Sequence, residues 1–223
     1  MATSPSKHPI RTGSQSRRLN ESAERIVLAA RAHFFAHGFR SVTMDDLAAE
    51  LGMSKKTLYS QFPSKTELLR AVLLAKFRSV ESDLEAVITD SANDASAALH
   101  QLLACMQRHT AEIQPPFVRD IRREIPELFQ LVEERRRDLI QRYFGRIFDQ
   151  GRRAGIIRKD VSTELIVEIL LGAVQAVMNP AKIEKLRLEP KTGYGAIVSV
   201  ILDGVMTEKG RSKSADWAGR VRS

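Results

Sequence analysis

Apolar residues at helical spacing over most of the chain restrict the possible folds more than any other feature. From Ser22 onward they recur every three or four positions, and glycines and prolines stand at the ends of the periodic segments. The run from Ile197 to Ile201 has strand-like composition, but no second strand is predicted to pair with it. The sequence therefore predicts an all-α protein.

Four helices are predicted in the amino-terminal part, at about 22–37, 44–51, 54–62 and 64–89. Gly38 and Gly52 supply the left-handed residues that commonly end a helix. Thr43, Ser54 and Ser64 are each placed to cap the helix that follows, because their hydroxyls can accept from the free N–H groups of a first turn. The spacing of these stops and caps predicts two short helices joined by a tight turn.

Five more helices are predicted at about 95–112, 117–125, 126–154, 163–178 and 194–206, with prolines at their joints. We therefore divide the chain into four segments. Residues 1–19 are predicted to be a disordered basic arm, and 20–80 a helical domain that contains a helix-turn-helix. Residues 81–206 are predicted to be a helical bundle, and 207–223 a disordered basic tail.

Positive charge is concentrated at the two ends. The net charge is +8 for the 223 residues, with +5 in residues 1–66, zero in 67–206 and +3 in 207–223. A basic head on a neutral middle is typical of an anion-binding module joined to a part that binds no polyanion. Basic ends that only aid solubility are the alternative.

The third helix of the head carries the side chains that suit duplex DNA. Leu58 and Phe62 are predicted to face inward, which leaves on the outer faces hydroxyls, an amide, a phenol and two lysines, with no acid among them. The helix before it would brace it against a major groove about 12 Å wide. These outer residues are Lys55, Lys56, Thr57, Tyr59, Ser60 and Gln61.

The segments from Ile26 to Phe39 and from Thr43 to Leu69 resemble the amino-terminal domain of tetracycline-repressor (TetR) family regulators. The resemblance implies an all-helical homodimer in which the domain 20–80 binds double-stranded DNA through three helices, and the domain 81–206 binds a small effector and dimerises. By position, Tyr59 and Lys65 are similar to phosphate-contacting residues, with Thr43 at the start of its helix. Lys55, Lys56, Thr57 and Ser60 are similar to the groove-facing set. The full predicted DNA-binding set is Thr43, Ser54, Lys55, Lys56, Thr57, Tyr59, Ser60, Gln61 and Lys65.

Two late helices, 163–178 and 194–206, are apolar nearly all round and need a cover beyond their own domain. A two-fold partner would provide it, and the resemblance likewise implies an intermolecular four-helix bundle. A monomer with a wholly internal helix pair is the alternative. The predicted interface comprises Ile169, Gly172, Ala173, Ala176, Val198, Ile201, Leu202 and Val205.

The effector site is less well defined by the sequence. Aromatic and methionine side chains could line an apolar cavity, although such stripes are more often core. Cys105 and His109 lie one helical turn apart, but two ligands are too few for a metal, and we predict neither metal nor cofactor. The predicted effector contacts are Met106, His109, Phe117, Phe144, Phe148 and Met178.

Other classes of function are less consistent with the sequence. No residue three positions before a histidine is a glutamate, so the motif of carboxylate-bridged iron enzymes is absent, as are a nucleophile elbow and a phosphate loop. The longest uncharged stretches, such as the thirteen residues from Ile169 to Ala181, are too short to cross a bilayer. With a single cysteine, Cys105, we expect a cytoplasmic protein.

We therefore predict a bacterial transcriptional repressor that binds a palindromic operator as a homodimer and is released by a small-molecule effector. Two alternatives stay open from the sequence. One is a transcriptional activator of the same fold, and the other is a helical interaction module without sequence-specific DNA binding.

Overall fold

The computed structural model describes residues 12–91, 94–188 and 190–212. Within these ranges the chain is helical, with one isolated antiparallel bridge, between Ile157 and Met206, and no named strand. The prediction of an all-α fold is confirmed. The helices are α1 Thr12–His37, α2 Met44–Glu50, α3 Lys55–Gln61, α4 Lys65–Asp90, α5 Ala95–Ala111, α6 Pro115–Glu124, α7 Pro126–Arg153, α8 Thr163–Val177, α9 Pro180–Leu186 and α10 Pro190–Val205.

The predicted caps define the amino-terminal helices. The hydroxyl oxygens of Thr43, Ser54 and Ser64 each accept a hydrogen bond of 3.1 Å from the backbone N–H three residues later. Gly38 follows α1 with a φ of +89°, a conformation that glycine adopts without strain. Local hydrogen bonding therefore fixes where α2, α3 and α4 begin.

The structure corrects the predicted starts of two helices and adds one helix. Helix α1 begins at Thr12 and not near Ser22, so residues 12–19, predicted to be disordered, are helical, while 1–11 lie outside the described residues. No proline interrupts 12–22, and Arg17, Arg18 and Leu19 favour helix. The sequence reasoning missed α9, and α10 begins at Pro190, four residues earlier than predicted.

The beginning of the predicted carboxyl-terminal tail is also structured. Residues 208–212 form a helical turn, and 213–223 lie outside the described residues. Thr207 donates its backbone N–H to the Ile156 carbonyl at 3.0 Å and its hydroxyl to the Gly155 carbonyl at 2.8 Å. These bonds attach the segment after α10 to the turn after α7.

Two hydrophobic clusters form the interior. The first contains residues of α1, α2, α3 and the start of α4, together with Phe117, Ile121, Ile125 and Leu128 from α6 and the start of α7. The second joins the rest of α4 to α5, α7, α8 and α10. Helix α4 runs through the predicted domain boundary at residue 80, and Phe77 packs against both clusters. The amino-terminal helices are therefore packed directly on α6.

Among the residues that the structure describes, no helix combines sufficient length with sufficient apolarity to cross a bilayer.

Candidate DNA-binding surface and effector cavity

Helix α3 is held by one buried residue and exposes most of the others. Leu58 has no exposed surface and anchors the helix in the first hydrophobic cluster. Ser54 caps the helix, and its hydroxyl lies 2.8 Å from that of Thr57. Ser54, Lys55, Lys56, Thr57, Tyr59 and Ser60 are all exposed, and Tyr59 keeps 45% of its surface accessible. The helix therefore presents a continuous polar face of cations, hydroxyls and a phenol.

An acid from the neighbouring helix meets this face. The Lys55 ammonium donates to Asp45 of α2 at 2.5 Å, and this hydrogen bond raises the pKa of Lys55. Asp45 stands ten residues earlier in the chain, so the sequence of α3 alone did not show the pairing. Lys55 is positioned by this bond, whereas Lys56 extends from the same turn as an exposed cation.

Gln61 differs from the other residues predicted to face DNA. Its amide nitrogen donates to the Ser22 hydroxyl of α1 at 2.8 Å, and its carbonyl oxygen is buried. The structure thus corrects the expectation that Gln61 lies on an outer face, since its side chain is occupied in joining α3 to α1.

Thr43 and Lys65 lie at the two ends of the helix-turn-helix. Thr43 caps α2 and donates its hydroxyl to the Asp46 carboxylate at 2.6 Å. The Lys65 ammonium lies 4.2 Å from the centre of the Phe39 ring, and burial lowers the pKa of this lysine. Both side chains are therefore held by contacts within the chain, beside the exposed face of α3.

A largely apolar cavity lies among α5, α6, α7 and α8. Its volume is about 200 Å³, and its polar lining residues are Thr110, Glu133 and Arg136. A wider hollow of about 640 Å³ adjoins it and shares several of its lining residues, among them Phe129 and Met178. A mostly apolar, concave space with a few polar groups is the usual form of a small-molecule site.

The structure places half of the predicted effector residues at this cavity. Met106, Phe117 and Met178 line it. Phe144 and Phe148 are instead 1% exposed each within the second hydrophobic cluster. His109 is hydrogen-bonded to α4. This corrects the expectation for these three side chains, because an apolar helix pattern does not distinguish a cavity wall from filled core.

His109 belongs to a group of charged side chains that joins α4, α5 and α1. Its Nδ1 lies 2.8 Å from the Lys76 ammonium, and its Nε2 lies 2.9 Å from the Asp83 carboxylate. Burial, then the nearby Lys76, lowers the pKa of His109, so the neutral ring can accept at Nδ1 and donate at Nε2. Lys76 also pairs with Glu112, which accepts two hydrogen bonds from Arg31.

Lys76 is the most perturbed group of this network. Only 5% of its surface is exposed. Burial, followed by repulsion from Arg31, lowers the pKa of Lys76 to about 7. In this geometry its ammonium contacts Glu112, the His109 ring and the His109 carbonyl oxygen. Lys76 therefore changes charge near neutral pH.

The structure adds a third side chain to the Cys105 and His109 pair seen in the sequence. Cys105, His109 and Asp83 each offer a potential ligand atom, and these atoms lie within 4.8 Å of one another. Both nitrogens of His109 already have partners, and the Lys76 ammonium lies beside the ring. These observations give no support to a metal site, and the absence of a metal stays a prediction.

Three hydrogen-bonded links, which we call the α1 tethers, connect the cavity wall to α1 and the residues just after it. Glu112 accepts from Arg31 at 3.0 and 2.7 Å. The Gln114 backbone N–H donates to the Phe35 carbonyl at 2.9 Å. The Asp120 carboxylate accepts from the backbone N–H of Arg40 at 3.0 Å. The cavity-side partners of the three tethers lie within residues 112–120. The cavity lining from this stretch and its next residue is Ile113, Pro115, Phe117, Val118 and Ile121.

The predicted dimer residues divide between surface and interior. Ile169, Gly172 and Ala176 of α8 are exposed, while Ala173 and Ile201 are half-buried. Val198, Leu202 and Val205 are 2%, 5% and 8% exposed in the chain's own core. The structure corrects the expectation for these last three, because α10 turns that side towards α5 and α8. Exposed apolar side chains at Leu165 and Val200, at 52% and 72%, lie on the same two helices.

Comparison with known proteins agrees with this arrangement. The family model of bacterial regulatory proteins, tetR family, matches residues 26–72, which include α2 and α3. The HTH-type transcriptional repressor BepR of Brucella suis biovar 1 (strain 1330) is 23% identical over 167 residues, which cover 71% of this chain and 79% of BepR.

Solved structures share the fold over most of the chain. A TetR-family transcriptional regulator from Agrobacterium tumefaciens has a TM-score of 0.66 at 18% identity, over 85% of this chain and 100% of that one. A transcriptional regulator from Saccharomonospora viridis in complex with choline has a TM-score of 0.64 at 19% identity, again over 85% and 100%. Residues 26–72, which carry α2 and α3, thus match the tetR family of bacterial regulatory proteins, and the chain shares its fold with TetR-family transcriptional regulators.

Proposed function

We propose that the chain is a repressor that binds a palindromic operator as a homodimer and is released when a small molecule occupies the cavity beside α6. The observation that carries this proposal is the continuity between the cavity wall and the α1 tethers. A ligand that displaces this wall must act on α1, and α1 packs against the DNA-binding helices. The relative BepR is a repressor, and the related S. viridis protein binds a small molecule, choline.

The exposed face of α3 supports DNA binding. Lys56 and Tyr59 project from it as exposed side chains, and the contact between Lys55 and Asp45 places the first turns of α3 and α2 side by side. In this proposal α3 enters the major groove, and Lys65 and Tyr59 contact phosphates. The two α3 helices of a dimer would read half-sites one helical turn, or a multiple of it, apart.

Exposed apolar surface on α8 supports pairing. Leu165 and Ile169 are 52% and 50% exposed, although large apolar side chains are more stable away from water. Gly172 and Ala176 continue this face with small side chains that permit close helix approach. Val200 of α10 extends the surface at 72% exposure. We therefore place the dimer interface on these residues and not on the buried side of α10.

The proposed interface is tested by an Ile169→Glu variant, which places a charge on each side of the pair. We expect it to be monomeric by analytical ultracentrifugation and to bind the operator weakly. An exposed substitution elsewhere, Lys182→Glu on α9, serves as the control and should stay dimeric. A dimeric Ile169→Glu variant that binds normally would contradict this placement.

Operator recognition is tested by selecting genomic DNA fragments on the purified protein, sequencing them and measuring affinity for the enriched site by fluorescence anisotropy. We expect an inverted repeat. Lys56→Ala and Tyr59→Ala should each weaken binding severalfold, and loss of a phosphate contact should reduce the salt slope by about one. Lys182→Ala should leave affinity unchanged. Equal binding to enriched and random duplexes would refute specific recognition.

Release is tested with the same operator in front of a reporter gene. Deleting the gene that encodes this chain should raise expression of the reporter. Deleting an activator would lower it instead. Compounds that bind the purified protein should lower its operator affinity, and a bulky substitution inside the cavity, such as Val118→Trp, should abolish that effect. Unchanged operator affinity with every bound compound would leave DNA binding intact and refute release.

A further inference from the structure

The polar end of the cavity contains an arginine with an unused donor. Arg136 is half-buried on α7, and one of its Nη atoms donates to Glu133 at 2.5 Å. Its Nε atom is buried, and no acceptor for it lies among the described residues. A buried N–H without an acceptor is unfavourable, so this atom is expected to bind an acceptor group when one enters.

The rest of the cavity offers little else to a polar ligand. The Thr110 hydroxyl already donates to the Met106 carbonyl at 2.7 Å, and the other lining residues besides Glu133 and Arg136 are apolar. A cavity of about 150 Å³ with such walls holds one benzene molecule. At about 200 Å³ this one has room for an aromatic ring and a short extension.

The wider hollow that adjoins the cavity adds positive charge around Arg136. Three arginines line it, Arg122, Arg136 and Arg137, against two acids, Glu133 and Glu134. The Arg122 guanidinium lies 5.8 Å from the Phe129 ring, and Arg137 contacts its acid Glu168 only at 3.5 Å. A negative group at this end would face more cations than anions.

We propose that the ligand of this site is a small amphiphilic carboxylate whose apolar part, about one aromatic ring in size, fills the cavity. Its carboxylate accepts from Arg136 and faces Arg122 and Arg137. This inference rests on the proposed function, because it names the chemical class of the molecule that would cause release. Arginine suits the task, since its planar fork presents several donors to one carboxylate.

The experiment is calorimetric titration of the full chain, without DNA, with 3-phenylpropanoate, the neutral 3-phenylpropanamide and the cationic 3-phenylpropylamine. We expect the acid to bind at least about tenfold more tightly than the amide, and the amine most weakly. Arg136→Met should remove the preference for the acid. Arg135→Met, at an exposed neighbour that does not line the cavity, should retain it.

A second variant tests the same contact in the opposite direction. Glu133→Gln removes the acid that occupies Arg136 and should strengthen binding of the acid severalfold, provided that thermal unfolding shows a folded protein. Equal affinities for acid and amide, a preference for the amine, or no binding of any of the three would overturn the proposal. Binding of the acid without loss of operator affinity would instead support this ligand class and refute release.

Discussion

Replacing Glu112 with glutamine is the substitution that most directly tests how α1 is held. In the structure Glu112 accepts two hydrogen bonds from Arg31 and pairs with Lys76. The side chain of Lys76 is 6% exposed, whereas those of Arg31 and Glu112 are 24% and 31% exposed. Glu112→Gln therefore leaves a buried cation next to a second cation without the carboxylate between them.

The expected loss of unfolding free energy is about 2 kcal/mol. Hydrogen bonds to charged groups contribute about 1.5–3 kcal/mol each, and glutamine retains one acceptor while solvent reaches Arg31 and Glu112. Lys76→Met should restore part of the loss in the double variant, because removing one member of a buried pair leaves the other uncompensated.

Urea unfolding followed by circular dichroism measures these changes, with all variants at one protein concentration because association stabilises the folded chain. Glu85→Gln is the matched control. It removes a carboxylate that pairs with Arg146 at 3.3 Å where both side chains are 52% exposed. Such a pair contributes about 0–1 kcal/mol. A loss for Glu112→Gln no larger than for Glu85→Gln, or one unaffected by Lys76→Met, would refute the reasoning.

Three further outcomes are expected. Ser64→Ala removes the cap of α4 and should lower the unfolding free energy by about 1 kcal/mol in urea titrations. Gly38→Ala should lower it by about 2 kcal/mol, with a lower Tm in calorimetry, because φ is +89° and the new Cβ would lie 2.6 Å from the Asp120 carboxylate. The pKa of Lys76 is about 7 in the folded chain and 10.5 for an unperturbed lysine. Between pH 7 and pH 10.5 the unfolded chain therefore binds more protons than the folded chain. Stability should therefore rise with pH there by up to about 1.4 kcal/mol per unit relative to Lys76→Met, and equal slopes would contradict the shift.

Features that depend on neighbours in the chain could be predicted from the sequence. The caps at Thr43, Ser54 and Ser64 act within three residues, so the starts of α2, α3 and α4 could be placed nearly to the residue. A similar local signal marks the start of α9. The Asn179 side chain accepts from the Lys182 backbone N–H at 3.0 Å, and Pro180 follows it, which is a common start of a helix.

Features that depend on distant residues could not be predicted in the same way. Asp45 approaches Lys55, and Ser22 approaches Gln61, only because α1, α2 and α3 fold together. The apolar pattern of α10 is similar on all sides, so periodicity could not show that Val198 faces the chain's own core. The sequence therefore predicts which helices carry the candidate sites. The direction in which each side chain points depends on how the helices pack against one another.

The number of α1 tethers sets a requirement on any ligand that causes release. To shift the protein from almost fully operator-bound to almost fully released, a ligand must bind the released form more tightly than the operator-bound form by about 5.5 kcal/mol. A hydrogen bond contributes about 0.5–1.5 kcal/mol, or about 1.5–3 kcal/mol where a charged group takes part. Breaking one tether would therefore shift the population by between about twofold and about 160-fold, short of the roughly 10⁴-fold that is required. Since all three lie on one continuous segment around the start of α6, displacement of that segment as a unit would bring the total close to the required range.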